Sequence, residues 1–257
     1  MERRTVDGVT FLVAGEMESR GFFVAYTERT GGVSESPFDT LNLGYATGDR
    51  AEHVRENRER LAGALGIPAF AVAKQEHGSN LVRVGEKRAG AGFGGPPSPL
   101  GGADALAVSR PGVAVAVLVA DCVPLALVSV DQGLLVAVHA GWRGMAAGVV
   151  AHALRTFERP GIVLASIGPA IGPCHYEVGE DVALAVAAGS EAGAITERRD
   201  GRLFLDLPGT VARVLRGAGV RRIEKAETCT ACERDRFFSH RRDAETGRQA
   251  MVGLRVA

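Results

Sequence analysis

Residues 113–144 read VAVAVLVADCVPLALVSVDQGLLVAVHAGWRG, and the fold turns on this stretch. One apolar run leads into Asp121-Cys122. A second turns at Asp131-Gln132-Gly133 and comes back to end on His139 and Gly141-Trp142-Arg143-Gly144. Residues 124–130 and 134–140 are expected to pair as a hairpin about that turn. The pairing would bring His139 back to the neighbourhood of Cys122. A thiol beside an imidazole at strand ends is either half of a metal site or a nucleophile with its base. Both are chemistry, so the chain reads as an enzyme.

Outward from the hairpin, strands and helices interleave without a regular strand–helix–strand cadence. GVTFLVAG and GFFVAYTERTGG are two short β-rich runs near the start. The spacing of Val54, Leu61 and Leu65 predicts a helix from about Glu52 to Leu65, ended by Gly66-Ile67-Pro68. FAVAKQEHG and NLVRVGE read as another pair of short strands, flanking Glu76-His77-Gly78. Residues 89–102, AGAGFGGPPSPLGG, are a low-complexity tract that reads as a flexible surface loop. Met145 to Phe157 has the spacing of one buried helix, EDVALAVAAG and TVARVLRGAG read as two more, and RRIEKAETC reads as the last strand. The pattern points to the α+β class, a single domain over residues 1–257 with a central mixed sheet flanked by helices.

At 257 residues the chain can bury a sizeable core. Its 30 basic and 30 acidic residues cancel. No basic block stands out, so neither nucleic acid nor a membrane surface is expected as a partner. No apolar stretch approaches the ~18 residues of a membrane span and no leader pattern is visible. A cytoplasmic protein, monomer or homodimer, is expected. The four cysteines are too few for a disulfide framework in a chain of this size, which favours catalytic or metal-binding thiols.

Of the six histidines, His53 and His152 fall on predicted helices without polar company. His77 sits in Lys74-Gln75-Glu76-His77-Gly78, between two strands, and His139 closes the hairpin. With Cys122 they make a possible metal set of two imidazoles and one thiolate, His77, Cys122 and His139. Zinc suits such a set, because three protein ligands leave a fourth position for water or substrate. The competing reading is a small buried thiol and two core histidines. Gly141-Trp142-Arg143-Gly144 opens a helix, and its free amides beside a guanidinium make a natural anion site. Cys229-Thr230-Ala231-Cys232 is a CxxC without a second pair at usual spacing, and reads as packing more readily than as a metal or redox site. Cys174-His175 is a further thiol–imidazole neighbour pair, and residues 238–243, FSHRRD, add cations near the C-terminus.

LNLG with GD and ENR (residues 41–58), QEHG (75–78), ADCVPL (120–125), HAGWRG (139–144), IGPAIGPCHYEVG (167–179), CT (229–230) and FFSHRRD (237–243) occur in a distinctive order. Together they resemble the YfiH/YlmD-like family, also called the multicopper polyphenol oxidase or laccase domain family, and peptidoglycan editing factor. The resemblance runs from about Arg20 to the end. It implies one mixed α/β domain with a zinc site at His77, Cys122 and His139, copper being the alternative metal. It also implies purine nucleoside phosphorylase activity towards adenosine, inosine, guanosine and methylthioadenosine, with adenosine deaminase activity besides. Two positions depart from the family pattern. Glu76 stands where a small apolar residue is more usual, and Cys232 lies outside the pattern.

Cys122, His139 and Arg143 are the expected catalytic residues, and Asn42, Arg58, Arg143 and Arg241 the expected contacts to nucleoside or inorganic phosphate. Glu76 or Glu177 is the candidate proton shuttle for deamination. Three other readings stand beside this one. Cys122 and His139 could form a hydrolase or amidase dyad that edits peptidoglycan precursors. The laccase label suggests a polyphenol oxidase, although six scattered histidines cannot fill the sites of four coppers. A non-catalytic binding module is the third.

Overall fold

The 113–144 stretch forms three consecutive strands in the computed structural model, which describes residues 1–190 and 192–256. In chain order the strands among those residues are β1 (Glu2–Val6), β2 (Val9–Val13), β3 (Phe22–Thr27), β4 (Phe70–Ala71), β5 (Leu81–Arg83), β6 (Ala105–Val108) and β7 (Ala114–Val119). They continue with β8 (Val123–Ser129), β9 (Leu134–Ala140), β10 (Leu164–Ile167), β11 (Thr196–Arg199), β12 (Arg202–Leu205), β13 (Arg222–Lys225) and β14 (Gln249–Arg255). The hairpin is as the sequence predicts: β8 and β9 pair antiparallel, with Pro124 opposite His139 and Ser129 opposite Leu134.

The hairpin lies in the middle of a six-stranded sheet of order β13-β10-β8-β9-β6-β5. A second six-stranded sheet runs β1-β2-β3-β14-β7-β4, and β11 and β12 form a separate ribbon. Both large sheets are mixed, since β10 with β13, β5 with β6 and β4 with β7 are parallel pairs. The α+β class holds, with two mixed sheets in place of one central sheet.

Stacking of the two sheets explains why the hairpin and β7 lack polar alternation. Val115 and Val117 of β7 meet Ala126, Val128, Leu135 and Ala137 of the other sheet in a shared core. The alternate residues Ala114 and Ala116 pack with Leu61 of the helix Ala51–Ala64. On the far side, Leu125, Leu127, Val136 and Val138 pack against Val150, Val186 and Val211, which lie on helices Val149–Leu154, Glu180–Gly189 and Leu207–Gly217. Each central strand keeps its period of two, but both of its faces are covered and so both are apolar.

Several local expectations change. The single helix expected over Met145–Phe157 is two, Trp142–Ala146 and Val149–Leu154. Gly148 divides them at φ 74°, a left-handed conformation that glycine adopts without a steric penalty. RRIEKAETC supplies β13 but not the last strand. β14 follows it and sits between β3 and β7 in the middle of its sheet. The two strands flanking QEHG, β4 and β5, belong to different sheets, so the QEHG segment links one sheet to the other.

Candidate metal centre and its cavity

β9 carries His139 to the end of the sheet-on-sheet stack. The register that sets Ala105 of β6 opposite Val138 places Asp104 across from His139, whose N–H donates to the Asp104 carbonyl at 2.8 Å. The side chains meet as well, His139 Nδ1 lying 2.8 Å from Asp104 Oδ1. With a carboxylate as acceptor, Nδ1 carries the proton and Nε2 is left for a ligand. Asp104 is 1% exposed. It also accepts from the backbone N–H groups of Glu76, His77 and Gly78 at 3.2, 3.0 and 2.7 Å. One buried carboxylate therefore sets the position of both histidines.

That anchoring holds strained backbone. His77 has φ 57° and Asp121 has φ 88°, in the region non-glycine residues rarely enter. Asp121 is fixed on both carboxylate oxygens, by the Thr230 hydroxyl at 2.6 Å and the Arg241 N–H at 2.7 Å. Its carbonyl accepts from Ile171 N–H at 2.9 Å. Cys122 is thus presented from a shelf tied to three distant segments.

The His77 Nε2 and Cys122 Sγ atoms are 3.9 Å apart, and the two imidazole rings are 4.7 Å apart at 78°. The three donor atoms of His77, Cys122 and His139 all lie within 4.8 Å of one another. Tetrahedral zinc would hold a thiolate sulfur and an imidazole nitrogen about 3.6 Å apart, so the set fits a metal with little adjustment. A Cβ on Gly141 would come within 2.9 Å of Cys122 Sγ and 3.0 Å of His77 Cδ2. The glycine is therefore what lets the turn close over the donors.

Electrostatics favour the metal-ready form of the thiol. Burial pushes the Cys122 pKa up, but the charge and hydrogen bonds of His139 and His77 outweigh it and bring it down to about 6. For His139 burial works downward, while Cys122 and Asp104 together raise it to about 9. Asp104 pays a burial penalty too, yet His139 and the Gly78 and Glu76 amides hold it below the usual carboxylate value.

The three donors open on a cavity of about 780 Å³, lined also by Tyr45, Arg143, Tyr176, Arg241 and Arg248. This is the size of a small-molecule site. Arg143 lies over its neighbour Trp142, with Cζ 4.3 Å from the ring centre. Helix Trp142–Ala146 has five residues, too few to build much of a dipole, so anion attraction there rests on the guanidinium. Arg241 lies 5.1 Å from the Tyr176 ring and donates to the Glu177 carbonyl at 2.7 Å.

The structure separates the other candidates. Arg58 lines the cavity, but its Nε and Nη1 are spent on the carbonyls of Leu43, Gly92 and Phe93. Burial lowers its pKa to about 10, and its guanidinium supports the Tyr45 ring at 4.7 Å. Asn42 does not line the cavity. It is wholly buried, its amide donates to Thr47 and Asp49 at 2.9 Å, and its oxygen accepts from the Arg248 N–H. It shapes the loop that carries Tyr45. Glu76 and Glu177 are also absent from the wall: Glu76 pairs with Lys74, and Glu177 with Arg202. The 89–102 tract is wall rather than bare surface, since Gly92, Gly95, Pro96 and Ser98 face the cavity. Asp104 escaped the sequence reading, as did Tyr45, Tyr176 and Arg248. The signal for Asp104 was a carboxylate at the head of the apolar strand ALAV. Of the CxxC pair, Cys229 is half-buried and packs against the core as expected, whereas Cys232 is exposed.

Fold and site together define a class. Residues 23–255 match the family described as multi-copper polyphenol oxidoreductase laccase, and the chain belongs to that family. Over 236 residues it is 36% identical to the protein named purine nucleoside phosphorylase YfiH of Escherichia coli strain K12, covering 91% of this chain and 93% of that one. A purine nucleoside phosphorylase of Deinococcus radiodurans is 40% identical over 238 residues, 90% of this chain and 88% of its own. The crystal structure of YlmD from Geobacillus stearothermophilus superposes with TM-score 0.92 at 34% identity, covering 99% of this chain and 98% of that one. Relatives with these names support an enzyme. Among the described residues, no helix is long and apolar enough to cross a membrane.

Proposed function

We propose that the chain is a zinc-dependent purine nucleoside phosphorylase acting on adenosine, inosine, guanosine and methylthioadenosine, with residues 1–257 working as one catalytic domain. The observation that carries this reading is the open two-histidine, one-cysteine set at the mouth of a cavity lined by arginines and tyrosines. His77, Cys122 and His139 would hold the metal, which supplies Lewis-acid polarisation when bound. The names of the relatives supply the substrate class.

In phosphorolysis a phosphate oxygen attacks ribose C1′, the bond from C1′ to the purine nitrogen breaks, and the phosphate proton leaves with the base. The exposed guanidinium groups of Arg143 and Arg241 would grip and aim the phosphate dianion. Tyr45 and Tyr176 offer ring faces for the apolar and aromatic parts of the nucleoside. Asp104 keeps His139 in the tautomer that points Nε2 at the site. The laccase name does not fit the donors. The Cys/His groupings among the described residues are one set of two histidines with one cysteine and one of three cysteines with one histidine, which cannot hold a four-copper array.

Incubation with adenosine or inosine, with and without phosphate, tests the proposal. Phosphate-dependent release of free base and ribose 1-phosphate is expected, and no turnover of any purine nucleoside overturns it. Ammonia release from adenosine tests the deaminase activity. Among the described residues no glutamate lines the cavity, so phosphorolysis is the better-supported branch.

A thiol hydrolase or amidase has one observation in its favour: Asp104 stands behind His139 as the third member of a Cys–His–Asp arrangement. Activity that survives a chelator but not alkylation of Cys122 selects that reading. Activity that is lost with the metal and restored by zinc rejects it.

A further inference from the structure

We propose that Cys174, His175, Cys229 and Cys232 form a second, structural zinc site outside the cavity. Their four donor atoms all lie within 4.8 Å of one another. Zinc–sulfur bonds of about 2.3 Å and a zinc–nitrogen bond of about 2.0 Å, set tetrahedrally, put sulfur atoms about 3.8 Å apart and sulfur about 3.6 Å from nitrogen. Here Cys174 and Cys232 Sγ are 3.6 Å apart. His175 Nδ1 lies 3.3, 3.4 and 3.9 Å from the sulfurs of Cys174, Cys232 and Cys229. These are the spacings of a coordination shell lacking its central atom.

The surroundings agree. The Gly172 N–H points at Cys229 Sγ at 3.2 Å, a bond that favours the thiolate. The Cys232 and Glu233 N–H groups both close onto the Cys229 carbonyl at 3.1 Å, folding the CxxC into a tight turn. Three thiolates and one imidazole make a full set of protein ligands, with no position left for substrate. Three soft sulfur donors select zinc over magnesium, calcium or manganese.

The site would act by stitching. It joins residues 174–175 to residues 229–232, and Asp121 is held beside both, by the Thr230 hydroxyl and by the N–H of Ile171, three residues before Cys174. Tyr176 and Arg241 of the cavity wall flank the same junction. The second zinc therefore steadies the shelf that presents Cys122 and takes no part in bond making. This inference is independent of the reaction proposed above.

Metal content and cobalt spectra test it. Protein expressed and purified in reductant is expected to carry two zinc ions per chain, falling to one in Cys122→Ser, one in Cys232→Ser and none in the double variant. Cobalt-loaded Cys122→Ser should show the intense thiolate charge-transfer and visible bands of a tetrahedral three-sulfur centre. Should Cys232→Ser fail to fold, mercurial titration of the intact protein still decides. The second zinc should leave only as the three thiols other than Cys122 are consumed. A single zinc that disappears in Cys122→Ser overturns the proposal, and so does a Cys174–Cys232 disulfide in protein never exposed to oxidant.

Discussion

The two Cys/His groupings are built from the same side chains and end differently. Around the cavity, three donors leave one direction open, and a buried carboxylate behind His139 tunes them. At the surface, four donors close on one point, and among the described residues no carboxylate is hydrogen-bonded to them. An incomplete shell facing a cavity is built for exchange of ligands, and a complete one for holding segments together. Counting the donors and asking what lies in the remaining direction therefore separates chemistry from architecture.

The largest effect that would break the comparison belongs to Cys122→Ala. It should remove the cavity metal and lower kcat/KM for inosine by at least ~10²-fold, the scale of losing an electrostatic catalytic group. The fold, followed by circular dichroism, should be retained. Asp104→Asn comes next. It keeps the shape but loses the charge behind His139, and metal affinity or activity should fall about 10–100-fold. Gly141→Ala sharpens the steric side: a methyl within 2.9 Å of Cys122 Sγ should weaken metal binding about tenfold by displacing a donor, read by competition with a chelating dye. Arg143→Ala should raise the KM for phosphate about tenfold, matching the ~1.5 kcal/mol at the low end of a charge-assisted hydrogen bond, as befits an exposed guanidinium, with the metal untouched.

The smallest effect is counted in protons. Between the Cys122 pKa of about 6 and the His139 pKa of about 9, the metal-free pair is thiolate and imidazolium. Zinc needs the neutral imidazole, so binding in this window expels one proton and affinity rises about tenfold per pH unit. Above about 9 the rise should stop, and below about 6 a second proton, from the thiol, must also leave. Calorimetry in buffers of different ionisation heat checks the count. A pH-independent affinity near neutrality would mean that His139 is already neutral.

The sequence made the hairpin readable because its turn residues and apolar runs are contiguous, and the three cavity donors because each sits in a distinctive local motif. Asp104 was hidden, since its role depends on the cross-strand register of β6 with β9 and no local pattern records that. The four-donor grouping was hidden for a related reason. His175 and Cys229 are 54 residues apart, and the parallel pairing of β10 with β13, continued by the bridge between Ala170 and Cys229, brings their segments side by side. Asn42 misled in the opposite direction, because a polar residue in a motif can serve a loop as readily as a ligand.

β14 has a consequence for how the protein comes into being. Among the strands of the described residues it is synthesised last, yet it belongs between β3 and β7. Until it leaves the ribosome those two strands carry bare edges, which pair readily with the wrong partner. Thr230 and Arg241, which hold Asp121 in place, are translated only shortly before it. Competence to bind ligand thus arrives in one late event instead of growing with the nascent chain. A truncated product would be inert and sticky, and so an easy species for cellular quality control to recognise.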